Sequence, residues 1–587
     1  MRMNPRRAGG TEAPAHVAVS CAVVLLFTAI GVGAATSDVA DAVQNGDATA
    51  VRRLVTAKAD VNAPQADGAT ALHWAVYRDD VSTVDLLLKA GANPKAANSF
   101  GATPLSMAAE TGSQAVVQRL LEAGADANER IANRDTVLMM AARSGNLETI
   151  KLLLDRGADV NATESARGTT ALMWAAAQGH APAVQLLVDR GADVSAASAP
   201  AWQDRPVRYG KATDPRPSQG RNQDLVVSQV GPRNTRARDG GGLTPLVFAV
   251  RANSLDSVRV LLKAGADVNQ VTRYGWSPLL VATQNRYYQL ASLLLDQGAN
   301  PNLANKGGWS PLYLAVDNRN IEGGDYPVPK ADMDPLEFIK KLIDKGADVN
   351  WRVQESTWYR TVFTSQWVHE DGATAFWRAS QSSDLVVMKL LLEHGADPNI
   401  ATNVGVTPLQ VAAGIGWVEG VTYEWSKDAN VEAVKLLMSL GNDPNAQAQT
   451  GRTALHGAGH KGATRVIQVL VDAGAKLDLR DYGQSGNDAG GRLAFHKYLP
   501  VDYADGLIRI GTQSALIQPE AGALLRKLMT ERGMPIPPPN RTIESVCLGG
   551  ELCDDLVPET ETHDLESPEL RDGEFQKKNN RRPRIQP

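Results

Sequence analysis

At 587 residues the chain is long enough for three or four compact domains, and its formal net charge of −5 at pH 7 excludes a general nucleic-acid binder. An internal period overrides the first expectation: a repeat array grows by addition, so one elongated domain is expected in place of several compact ones.

The elements begin with a leader. Arg2, Arg6 and Arg7 precede an apolar run from Val17 to Ile30, and the small residues Gly31, Val32, Gly33, Ala34 and Ala35 follow. This order reads as a signal peptide over residues 1–34, cut after Ala34, and places the mature protein in the periplasm or outside the cell. Fourteen apolar residues fall short of the roughly 20 that a spanning helix needs, so no stable membrane insertion is expected after cleavage; a retained anchor is the alternative. Arg6 and Arg7 lie in a poor context for a twin-arginine route. Cys21 has almost all of the apolar run after it, which makes it a poor lipid-attachment site.

From residue 37 the chain repeats. Gly-x-Thr-(Pro or Ala)-Leu-x-x-Ala is followed about twenty residues later by Leu-Leu-x-x-Gly-Ala-Asp-x-Asn, and the opening Thr or Ser stands at Thr70, Thr103, Thr136, Thr170, Thr244, Ser277, Ser310, Thr374, Thr407 and Thr453. The steps between them are 33, 33, 34, 74, 33, 33, 64, 33 and 46, so six are one period and three are a period plus an insertion. Thr70, Ala71, Leu72 and Ala75 open an apolar stripe at helical spacing, and Pro104, Pro245, Pro278, Pro311 and Pro408 suit a first helical turn. After a Gly or polar pair, a second stripe such as Val84, Leu87 and Leu88 predicts a second helix. Gly91, Gly124, Gly157, Gly191, Gly265, Gly298, Gly346, Gly395, Gly441 and Gly474 stand where a helix ends in a left-handed residue. Neither helix can bury its stripe alone, so successive pairs must stack. Residues 37–66 form a half-matched first repeat and residues 499–533 a worn last one, as expected of caps, for about twelve in all.

The motif resembles the ankyrin repeat, of the exported bacterial type, over residues 37–535. The resemblance implies an all-α solenoid of helix-turn-helix units with β-turn fingers. It also implies protein recognition without a fixed ligand type. His73 and His456 match the family's structural His, which hydrogen-bonds between repeats, and His180 occupies the inter-helix turn, where the family often has His.

Insertions interrupt the array at residues 198–240, 321–335, 351–371 and 417–428. The first holds eight Arg and Lys against four Asp, a net of +4, with five Pro, and reads as a basic loop. The others are aromatic: Trp351, Trp358, Tyr359, Phe363 and Trp367 in one, Trp417, Tyr423 and Trp425 in another. Between Tyr274 and Trp425 lie 18 of the 31 aromatic residues. Trp276 and Trp309 each follow a turn Gly, where the family places the tip of its finger, with Arg273 and Tyr274 just before the first. Gln284, Asn285, Asp317 and Asn318 end first helices, which in the family face the concave groove. Aromatic and Arg groups gathered on one surface are what binding hot spots use. The expected partner surface is therefore Arg273, Tyr274, Trp276, Gln284, Asn285, Trp309, Asp317, Asn318, Trp358, Tyr359 and Trp367. The alternative is that the insertion aromatics fold back and seal the solenoid.

No nucleophile constellation, metal-ligand spacing or phosphate loop is present, so no active site and no cofactor are expected. The Asp and Asn of Gly-Ala-Asp-x-Asn read as loop formers. Residues 536–587 read as a mostly disordered tail in which Cys547 and Cys553 pair as a disulfide clip. The leading function is an exported, non-enzymatic scaffold for an unidentified protein. The alternatives are a carbohydrate or small-ligand groove in the cell envelope and an accessory subunit of an exported redox enzyme.

Overall fold

The computed structural model describes residues 37–131, 135–199, 241–320, 330–355, 368, 370–419, 422–482, 497–508 and 516–539. Residues 1–34, expected to be a signal peptide, most of the 198–240 insertion, Trp358, Tyr359, Trp367, Cys547 and Cys553 lie outside these. The described residues hold 24 α-helices in successive pairs and no strand beyond one isolated bridge between Arg130 and Thr136. The chain divides into two compact parts, residues 1–100 and 101–587. The first contains the helices Asp38–Gln44, Ala48–Thr56, Ala71–Tyr77 and Val81–Lys89; the second holds the remaining pairs, from Pro104–Thr111 to Pro519–Glu531.

The opening Thr or Ser is the N-cap of each first helix. In eight copies its hydroxyl accepts the N–H of the residue three places on, from Ser106 to Thr103 at 3.1 Å through Gln410 to Thr407 at 3.2 Å. In the other two the His at that place reaches back, its Nδ1 accepting from Thr70 N and from Thr453 N. The ten small alanines, from Ala75 to Ala458, have no exposed surface at all. Two glycines show the two reasons for glycine here. Gly346 has φ +88° with open space where a Cβ would stand, so only its conformation is demanded; at Gly145, φ +74°, a Cβ would lie 2.6 Å from the His180 ring. That ring donates from Nε2 to the Arg143 carbonyl at 3.1 Å and ties one repeat to the one before.

The Asn of Gly-Ala-Asp-x-Asn does more than form a loop. Asn302 Nδ2 donates to the Gly346 carbonyl at 2.8 Å while its Oδ1 accepts from Asp348 N at 2.7 Å. Asn350 repeats the pair on Gly395 and Asp397, at 3.0 and 2.8 Å. Each such amide bridges two neighbouring repeats. Asn350→Ala is expected to cost about 1–2 kcal/mol, read as faster amide exchange around residues 395–397 and a lower urea midpoint. Unchanged exchange there would show that the bridge is ornamental.

Insertion boundaries move slightly. The helix Pro335–Asp344 starts inside the expected 321–335 insertion because Asp334 caps it, accepting from Leu336 N at 2.7 Å. Lys427–Ser439 likewise starts before the end of the expected 417–428 insertion, capped by Ser426 on Ala429 N at 2.9 Å. The finger turns lie side by side and exchange backbone bonds, Lys306 N to Tyr274 O, Gln354 N to Gly307 O and Gln449 N to Val404 O, each at 2.9 Å. Beneath them runs an apolar core built from Trp309, Tyr313, Leu314, Val353, Val368, Trp377, Val406, Val411 and Ile415.

Candidate partner-binding surface

At the first aromatic finger the chain reverses between Thr272 and Trp276, whose backbone groups bond at 3.0 Å, with Gly275 at φ +88°. Arg273 at the tip is exposed and Tyr274 half-buried, its hydroxyl donating to Glu355 at 3.2 Å. Trp276 is half-buried and meets Trp309 edge to face, centroids 6.0 Å apart.

Trp309 is not a tip side chain. It is 2% exposed, and its indole N–H donates to the Glu355 carbonyl at 2.9 Å. The cause is local: a Cβ on Gly307 would lie 3.1 Å from the indole, so the bare glycine lets the ring fold under the turn into the core. In the 351–371 insertion Val368 packs into the same core, while Trp351 donates its indole N–H to the Gly308 carbonyl at 2.7 Å.

Along the first helices, the residue two places after the small alanine forms an inner row. Glu110 and Arg251 are exposed there and Gln284 is half-buried, but Asp317, Gln381, Gly414 and His460 are buried. Asn285 beside Gln284 is half-buried and bonds back to the Val281 carbonyl at 2.8 Å. Asp317 and Asn318, expected to face outward, are interior. Asn318 Nδ2 donates to the Thr283 carbonyl at 2.7 Å, and Asp317 accepts from Arg378 Nε at 2.7 Å. Arg378 stands where other repeats carry Trp174, Phe248 or Val411. An apolar place of the repeat thus holds a guanidinium, and its partner comes from the preceding repeat. Arg378 also donates to Ser382 Oγ at 3.0 Å and to the Asn320 carbonyl at 2.8 Å. A second pair, Arg319 Nε with Asp384 at 2.8 Å, lies beside it. Asp384 also receives Asn320 Nδ2 at 3.2 Å and caps the next helix through Val387 N at 3.3 Å. Two cations face two carboxylates, so the network is neutral. Gln381, 3% exposed, has neither its Oε1 nor its Nε2 in a hydrogen bond.

Part of the cover comes from the 417–428 insertion. Trp425 lays its ring over the Arg319 guanidinium at 4.5 Å, donates its indole N–H to Asn320 Oδ1 at 2.8 Å, and donates its backbone N–H to the Ser382 carbonyl at 3.3 Å. Its outer side is open: Trp425 is 42% and Tyr423 38% exposed, and the two rings meet at 83° with centroids 5.6 Å apart. Glu424 is paired with Lys461, whose ammonium burial holds below its ordinary pKa, partly offset by Glu424. Trp417 is half-buried and meets the His460 ring edge to face, centroids 6.0 Å apart.

Two histidines in this region are held neutral. Burial pushes His456 down to about 3, against the Tyr498 carbonyl that favours its charged form and with the Arg452 charge adding to the fall. Burial, then Arg452, takes His460 to about 4. Arg452 itself donates to Tyr503 Oη at 2.7 Å, and that hydroxyl donates to Asp481 at 2.7 Å. Burial raises the Tyr503 hydroxyl well above its ordinary value, the Arg452 charge opposing. Among the described residues no group of three His, Cys, Asp or Glu is placed to hold a metal ion.

Of the expected surface, the structure brings Arg273, Tyr274 and Trp276 together on one finger, leaves Gln284 and Asn285 half-buried, and takes Trp309, Asp317 and Asn318 inside. Trp358, Tyr359 and Trp367 lie outside the described residues. The expected surface omitted Tyr423 and Trp425 although their insertion had been marked as aromatic, and omitted Arg378 although a charge at an apolar place of the repeat was visible.

The family model for ankyrin repeats in three copies matches residues 39–131, 124–198, 218–305 and 246–352, and the model for a single ankyrin repeat matches 371–403 and 450–482. No curated protein matches the chain. Matches over more than half of its length, on the stacked helix pairs and fingers described above, show that the chain belongs to the ankyrin repeat family.

Proposed function

We infer that the chain is an exported, non-enzymatic scaffold that holds another protein through the fingers and inner row of the repeats between residues 241 and 425. The observation that carries this reading is the finger at Arg273 and Tyr274. An exposed guanidinium and a half-buried phenol stand on a turn stiffened by the Trp276 and Trp309 rings below it and by the neighbouring finger's backbone bond. A rigid Arg and Tyr pair binds at small entropic cost. Export rests on the leader reading and on the even pair Cys547 and Cys553, which suits an oxidising compartment.

The test is affinity capture from the native envelope fraction with the chain starting at Ala35. Arg273→Ala with Tyr274→Ala is expected to cut retention of a stoichiometric protein roughly thirtyfold or more, the scale of a hot spot. Changing Trp309 would not test this, because its loss opens the core. If the double variant retains every partner, the finger is not the binding surface; if only glycans are retained, the carbohydrate reading takes its place.

A further inference from the structure

The segment of residues 422–426 is seated as a ligand would be. Its Trp425 makes three different contacts with the ends of two first helices: a ring over Arg319, an indole bond to Asn320, and a backbone bond to Ser382. Glu424 adds a fourth through Lys461. A stacked aromatic with a directed N–H, anchored by main-chain bonding, is the chemistry of peptide recognition, carried out here within one chain. The occupant is seated on one side only: Trp425 is 42% and Tyr423 38% exposed, so the ring that covers Arg319 is open to solvent on its outer side.

We propose that residues 422–426 are a tethered self-ligand, and that the site beneath them takes an extended segment of a partner protein. That segment bears a tryptophan, which replaces Trp425 on Arg319 and Asn320, while its backbone N–H donates to the Ser382 carbonyl. This deepens the scaffold reading and rests on it: the partner displaces the chain's own insertion. The tether supplies Trp425 at high effective concentration, so a free peptide competes poorly with it until that side chain is removed.

The probe is a fluorescein-labelled hexapeptide of residues 422–427, Thr-Tyr-Glu-Trp-Ser-Lys, titrated by polarisation into the full chain. Trp425→Ala is expected to bind it roughly tenfold or more tightly than the unaltered chain does, because the site is no longer occupied. The same peptide carrying 1-methyltryptophan, which lacks the indole N–H, is expected to bind the variant about tenfold more weakly, a cost on the scale of one lost hydrogen bond. If Trp425→Ala does not fold, Trp425→Leu keeps apolar bulk over Arg319 without the N–H and takes the same titrations. A folded variant that binds no better than the unaltered chain, or binds the methylated peptide equally well, overturns the proposal. Failure of the peptide titrations alongside capture that still depends on Arg273 and Tyr274 would reject the self-ligand and leave the scaffold reading intact. Loss of the finger dependence would reject the scaffold surface instead.

Discussion

Asp317→Ala should destabilise its repeats by about 3–5 kcal/mol, the usual cost of breaking a buried ion pair from one side. Asp317 and Arg378 are each 1% exposed in the folded chain, and their 2.7 Å contact joins the helices Pro311–Arg319 and Ala375–Gln381. Without the carboxylate the guanidinium keeps its bonds to Ser382 and the Asn320 carbonyl but loses the 2.7 Å ion pair at Nε, and the network is left with one carboxylate for two cations. The double change Asp317→Ala with Arg378→Leu should recover most of the loss. It returns an apolar side chain to a place that holds one in most repeats, and a buried pair replaced as a whole is often neutral. Because a repeat array can unfold in parts, the suitable reading is hydrogen exchange over those two helices, compared among the single and double variants. Simple additivity of the two single effects would mean that the residues are not energetically a pair.

Acid is expected to act at the other end of the array. His456 and His460 are neutral in the fold, with pKa values of about 3 and about 4 against an ordinary 6.5. Both pKa values are depressed, so below pH 6.5 the unfolded chain binds protons that the folded chain refuses. Their contribution is whole above pH 6.5, falls as pH drops through that value, and keeps falling until about pH 4 for His460 and about pH 3 for His456. At pH 5 the loss is about 2 kcal/mol for each. Geometry explains the refusal at His456. Its Nε2 meets the Tyr498 carbonyl at 3.1 Å, which can only accept, so the proton sits there. Its Nδ1 then accepts from Thr453 N at 3.0 Å, leaving no room for a second proton. His456→Gln should lower stability at pH 7 and flatten its dependence between pH 7 and 5 by about half, since one of two titrating groups is gone. An unchanged slope would place the acid response elsewhere.

What the sequence made legible was local. A Thr at the start of each stripe, an Ala three places past its Leu and a Gly after the second stripe are each demanded within one repeat, so their recurrence was enough to derive stacked helix pairs. Arg378 and Asp317 escaped because they are 61 positions apart, and pairing across an insertion has no period. Trp309 was assigned outward by its place in the motif, and Gly307 decided otherwise by letting the ring turn in. The choice between insertions that bind and insertions that seal also had no local answer. Val368 and Trp351 seal, whereas Trp425 seals with one face and shows the other.

The asparagine bridges carry one more consequence. Asn269 reaches the capping glycine of the next repeat 29 residues on, while Asn302 and Asn350 reach theirs across 44 and 45, at donor distances between 2.8 and 3.2 Å. At these three junctions the length of chain between two repeats therefore leaves no mark on how they are fastened. A junction of this kind works as a socket that accepts a spliced-in segment of foreign length without being rebuilt, so insertions can be exchanged, shortened or borrowed there while the frame that displays them stays the same.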